Sequence, residues 1–104
     1  MKTPIERLEA LLATQGESAL LRFGLGNACL DSSPALAVEH LRRAVALDPE
    51  YSAAWKLLGR ALVADGASAE AQAVFTQGIA VAKRRGDIQA AKEMQVFLKR
   101  LQKE

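Results

Sequence analysis

Apolar residues recur at three- and four-residue spacings along nearly the whole chain, and proline, glycine and short polar clusters cut the pattern into six stretches. That is the period of helices with one buried face rather than the alternation of strands. Thr3-Pro4-Ile5-Glu6 reads as a capping box, with Thr as N-cap, Pro in the first helical position and Glu three residues after the cap. The stripe of Ile5, Leu8, Leu11 and Leu12 behind it predicts an N-terminal helix over 3–16, running out near Gly16. A second helix is expected over about Ser18–Leu30. Ser33-Pro34 starts a third, which Asp48-Pro49 ends because the residue before proline is pushed out of helical space.

The fourth helix is expected over Ser52–Ala64, closing at Asp65-Gly66. Ser68 offers a cap for the fifth, which reaches Arg85 with its basic residues at the negative end of the helix dipole. Gly86 suits a C-terminal cap and Asp87 opens the sixth, in which Ala90, Ala91, Met94, Phe97, Leu98 and Leu101 share a face. Every connection is short, so successive helices must be antiparallel neighbours. The expected fold is all-α.

An internal repeat organises these helices. Leu25-Gly26-Asn27-Ala28-Cys29 in the second helix matches Leu58-Gly59-Arg60-Ala61-Leu62 in the fourth at an offset of 33 residues. Ala37, Leu41 and Ala44 in the third match Ala71, Phe75 and Gly78 in the fifth at an offset of 34. A period of this size marks stacked helical hairpins. Gly26 and Gly59 fall mid-helix, where glycine costs about 1 kcal/mol against alanine. That cost implies close helix approach, with Ala37, Ala44, Ala71 and Gly78 as the expected matching small surface.

These residues resemble the tetratricopeptide-repeat pattern: Trp, two residues, Leu-Gly, two residues, Tyr, then Ala, three residues, Phe, and a late Pro. The second unit supplies Trp55, Leu58, Gly59, Leu62, Ala71 and Phe75, with Lys83 where Pro falls. The first supplies Arg22, Leu25, Gly26, Cys29, Ala37, Leu41 and Pro49, so Arg22 replaces the aromatic residue and Cys29 the Tyr. The resemblance implies one domain over 1–104: N-terminal helix 3–16, first repeat 18–50, second repeat 51–85 and C-terminal capping helix 87–104. Two units fall short of the three or more that usually make such an array stable, so the outer helices are expected to act as caps. The implied architecture is a right-handed array of antiparallel helical hairpins.

Composition narrows the function. Half the residues are hydrophobic but only 5% are aromatic, and twenty are alanine, which suits close helix packing. The single cysteine, Cys29, excludes an internal disulfide or a thiolate metal cluster. His40 is the only histidine, so no two-histidine metal site can be built. A Cys29–His40 nucleophile pair is expected to fail, because Cys29 takes the place of a core residue and burial raises a thiol pKa. The Gly24-Leu25-Gly26 run lies within a helix and is no phosphate loop. Neither an enzymatic role nor a cofactor or metal is expected. No apolar stretch follows the N-terminal charges as in a signal peptide, and none is long enough to span a bilayer, so the cytoplasm is the expected compartment.

The net charge of +2 does not call for nucleic acid. Residues 83–104 carry seven basic and three acidic side chains, +4, leaving −2 on the rest. That basic end reads first as a solvated helix face and only distantly as a nucleic-acid contact, since no aromatic ladder accompanies it.

The resemblance implies an adaptor or scaffold that binds a peptide or helix of another protein in a concave groove lined by the first helix of each hairpin. Here that surface comprises Leu20, Phe23 and Asn27 of the second helix with Lys56 and Arg60 of the fourth. An apolar half with one amide lies beside a half with two cations, which suits a hydrophobic anchor and a carboxylate. Some family members grip a C-terminal carboxylate with Lys, Asn and Arg residues across three repeats. Asn27 matches one position of that set, whereas Lys56 and Arg60 do not match its spacing. Self-association into a homo-oligomer is the alternative reading of the apolar surface.

Overall fold

The computed structural model describes all residues 1–104. It contains α1 (Pro4–Gln15), α2 (Ala19–Cys29), α3 (Pro34–Leu47), α4 (Ser52–Ala64), α5 (Ser68–Arg84) and α6 (Ile88–Gln102), and no strand. The ends follow local chemistry. Thr3 Oγ1 accepts from Glu6 N at 3.1 Å while Thr3 N donates to Glu6 Oε1 at 3.1 Å, completing the capping box. Ser18 caps α2 by accepting from Leu21 N. At the end of α4, Gly66 takes φ +80°, its N–H reaches Val63 O, and Ala67 N reaches Leu62 O. The end of α5 repeats this at Gly86, so both helices close in Schellman motifs that need a left-handed residue.

Two expected caps differ. Ser68 is the first residue of α5 and Ala67 occupies its N-cap, without a side-chain hydrogen bond. The Schellman turn at Gly66 leads the chain into α5 one residue earlier than a serine cap needs. Ser33 is the N-cap of α3, but its side chain makes no capping bond.

Each helix packs on its neighbours in sequence, with further contacts of α2 on α4 and of α4 on α6. α1 touches α2 alone and never meets α6, so the helices form an open row and not a closed bundle. Extents of 43 × 28 × 19 Å fit that row. The core is a single apolar seam in which Leu41, Leu58, Leu62, Phe75 and Met94 are fully buried. Burying side chains of this size contributes about 1.5–3 kcal/mol each.

The glycine positions show how the hairpins close. A Cβ on Gly26 would stand 2.4 Å from Leu41 Cγ, and one on Gly59 2.3 Å from Phe75 Cε1. The sequence expectation of a matching small surface is corrected here. Each glycine is the socket for the large residue of the facing helix, and the alanines pack around that contact. Gly78 repeats the device one helix on, receiving Met94 Sδ at 2.5 Å from its Cβ position.

Candidate functional site

The row α2–α4–α6 forms one side of the molecule. On α2, Leu20 is 69% exposed, a large apolar side chain left in water. Phe23, one turn on, is half-buried and stacks on Tyr51 with ring centroids 5.0 Å apart. Asn27 is exposed near the end of the helix. Leu20, Tyr51 and Ala53 line a depression of about 560 Å³, with Asp48, Glu50 and Arg85 on its rim. Ser52, buried at the same place, donates through Oγ to Asp87 Oδ2 at 2.8 Å. Asp87 also caps α6 through Ala90 N at 3.2 Å. The hydroxyl first, then that amide, holds the Asp87 carboxyl below the usual range. This bond ties the start of α4 to the start of α6.

Farther along α4, Lys56 Nζ lies 3.0 Å from Glu93 Oε1 on α6, and the lysine side chain is only 26% exposed. The sequence grouped the apolar residues of α6 on one face and gave no partner for Glu93. The α4–α6 contact turns Glu93 toward Lys56. Arg60, one turn beyond, is exposed and has no ion pair. The five residues singled out in the sequence thus lie on two touching helices, and no hydrogen bond joins any two of them. Tyr51 and Glu93 belong beside them and were missed. Tyr51 is the chain's one tyrosine and precedes α4 directly, a signal that could have been read. Glu93 gave no such signal.

A second polar cluster sits where the loop between α1 and α2 meets α2 and α3. Arg22 donates from Nε and Nη2 to both oxygens of Glu17, at 2.8 and 2.7 Å, and its Nη1 stands 3.0 Å from His40 Nδ1. Arg43 adds a 3.3 Å contact to Glu17. The residue replacing the first unit's aromatic is therefore engaged in an ion-pair network. The Arg22 hydrogen bond holds the Glu17 carboxyl below its usual range. Burial first, then the Arg22 charge, push His40 downward. Cys29 is 1% exposed, and burial raises its thiol pKa, which leaves it a core residue and not an activated thiolate. No group of three or more His, Cys, Asp or Glu side chains is placed to hold a metal ion, and no helix is long and apolar enough to cross a membrane.

An open row of antiparallel hairpins, with one exposed face along alternate helices and a seam of glycine sockets, defines a helical-repeat protein. The tetratricopeptide-repeat family matches residues 31–94, from the turn before α3 into α6. The chain is 54% identical over 98 residues to a TPR repeat-containing protein of Pseudomonas aeruginosa, covering 93% of each. A solution structure of a protein from Bordetella parapertussis superposes with a TM-score of 0.86 at 45% identity, covering 99% of this chain and 90% of that one. The chain belongs to the tetratricopeptide-repeat family, whose repeats generally mediate contacts between proteins and are typically not enzymes.

Proposed function

We infer that this protein is an adaptor whose α2–α4 face, made by Leu20, Phe23, Asn27, Lys56 and Arg60, holds a peptide or helix of a partner protein bearing a carboxylate. The observation that supports it is the pairing of an exposed apolar end, Leu20 over the 560 Å³ depression, with an unpaired guanidinium at Arg60 on the adjacent helix. Exposed apolar side chains beside fixed polar groups are the usual makings of a recognition surface. Lys56 is already paired with Glu93, so Arg60 is the α4 cation open to the partner's carboxylate.

The test uses Leu20→Ser with Arg60→Glu, both at exposed positions, so the fold stays intact by circular dichroism. A partner captured by the wild-type protein is titrated against both forms. The double variant binds more weakly by about 1–3 kcal/mol, as lost charged hydrogen bonds and apolar contact require. Equal affinity would place the site elsewhere.

Self-association through the groove's apolar surface is the alternative, and a further apolar patch lies on α6. Ile88 and Val96 on α6 are 53% and 49% exposed, two turns apart on the helix face. Lys92 lies between them, and an antiparallel pairing of two such helices centred there sets like charges together. Light scattering that gives a dimer independent of concentration would favour this reading over the groove.

A further inference from the structure

The groove has a register. We propose that it selects a segment in which one apolar side chain and a single carboxylate lie about three residues apart, the first seated at Leu20, Tyr51 and Ala53 and the second on Arg60. This rests on the groove reading above and adds what that reading leaves open, the spacing and polarity of the occupant.

Three observations converge on it. Glu93 of α6 stands 3.0 Å from Lys56, so one of the two cations is already met by a carboxylate of the same chain. Of the two α4 cations Arg60 is the one left to take a carboxylate from outside, and Asn27 occupies the equivalent place on α2, 33 residues earlier. The second observation is spacing. Ala53 and Arg60 are seven residues apart on α4, almost two full turns, so they share a face and stand about 10 Å apart along the axis. An extended chain rises about 3.3 Å per residue, so about three residues span that gap.

The third observation is the charge at the other end. Asp48 and Glu50 line the depression with Arg85, Glu50 is paired with Arg84, and Ser52 in its wall is bonded to Asp87, so three acids stand with two arginines there. A carboxylate placed there meets a slight excess of acids, while an apolar side chain meets Leu20, Tyr51 and Ala53. The groove is therefore polar along its length: apolar with nearly balanced charge at the start of α2 and α4, cationic toward their ends. A uniformly acidic stretch fits it worse than one anchor with one carboxylate.

The test is a heteronuclear NMR titration of the isotope-labelled full chain. The probes are capped Gly/Ser decapeptides carrying one leucine and one aspartate, set one, three or seven residues apart, together with the three-apart peptide with asparagine for aspartate. The three-apart aspartate peptide shifts amides around both Leu20 and Arg60, and binds about 5- to 10-fold tighter than the other three peptides, the effect of one charge-assisted hydrogen bond. Arg60→Gln removes the advantage of aspartate over asparagine, while Lys92→Gln, on another face, leaves it unchanged. Equal affinities at all spacings, with shifts confined to the groove, would overturn the register and leave the groove standing. The same loss in Lys92→Gln as in Arg60→Gln would reduce the effect to general charge attraction and overturn it too. Shifts outside the groove, or none with any peptide, would sink the register and the groove together.

Discussion

Gly59 and Phe75 fit as socket and plug: a Cβ added to the glycine would stand 2.3 Å from Cε1 of the fully buried ring. No real Cβ contact is that short, so the α4–α5 approach depends on the missing side chain. Gly24 on α2 is different, since its Cβ would meet Leu8 Cδ1 at 3.4 Å, an ordinary contact. The two sites separate helix propensity from packing. Gly24→Ala is expected to stabilise by about 0.5–1 kcal/mol, because alanine is the better helix former. Gly59→Ala gains the same propensity yet should destabilise, because the ring has no room to move, and Gly59→Leu should lose about 1–3 kcal/mol or more. Thermal melts of the three variants decide it. A Gly59→Ala protein that melts higher than wild type would show that the ring yields.

Much of this fold could be read from the sequence because its signals are local. Pro34, Gly66 and Gly86 act on backbone dihedrals at their own positions, and the structure ends or starts helices beside each. The 33–34-residue offset gave the hairpins for the same reason, as each unit repeats its own packing. What Gly26 and Gly59 receive was misread as small surface, because that depends on how one helix is rotated against the next. The Lys56–Glu93 pair was missed on the same ground, since 37 residues separate the partners and only the α4–α6 contact sets Glu93 facing inward. Which residues share a face of α2 or of α4 could be read from each helix singly, but the contact of α6 with α4 could not.

The N-terminal helix should be the first element to open. α1 has no buried residue and touches only α2, so little apolar contact opposes its fraying, and its capping box carries much of its order. Thr3→Ala is expected to weaken that helix by about 1 kcal/mol, the usual value of an N-cap. Hydrogen exchange should show faster exchange through α1, with α4 and α5 unchanged. Uniform acceleration across all six helices would mean α1 opens only with the whole molecule.

Cys29 serves as a reporter of global unfolding. It is 1% exposed and its thiol pKa is raised, first by burial and then by the charge of Glu9, so the native protein holds little thiolate within reach of solvent. A thiol reagent such as Ellman's should label it slowly in buffer, and in denaturant at the rate of the unfolding transition. Rapid stoichiometric labelling under native conditions would show an opening at α2–α3 well below the global free energy.

The Arg22–His40 contact sets a pH dependence whose direction follows from who donates. Arg22 Nη1 can only donate, so His40 Nδ1, 3.0 Å away, must accept and the ring proton belongs on Nε2. Protonating His40 would turn two donors toward each other beside a fixed positive charge. Burial and Arg22 lower the His40 pKa in the folded chain, and Glu39, Glu9 and Glu17 offset this only in part. The unfolded chain therefore takes up the proton first. Stability is full above the ordinary histidine value of about 6.5 and declines as pH falls below it, until the folded chain is protonated as well. A separate loss follows at lower pH, as Glu17, Glu50 and Asp87, all with lowered pKa values, are protonated through the carboxylate range. Urea unfolding between pH 8 and pH 5 should show the first decline in wild type and lose it in His40→Gln, which keeps a side-chain acceptor for Arg22 without a titrating ring. Parallel pH profiles for the two proteins above pH 5 would mean that His40 is equally free to protonate in both states.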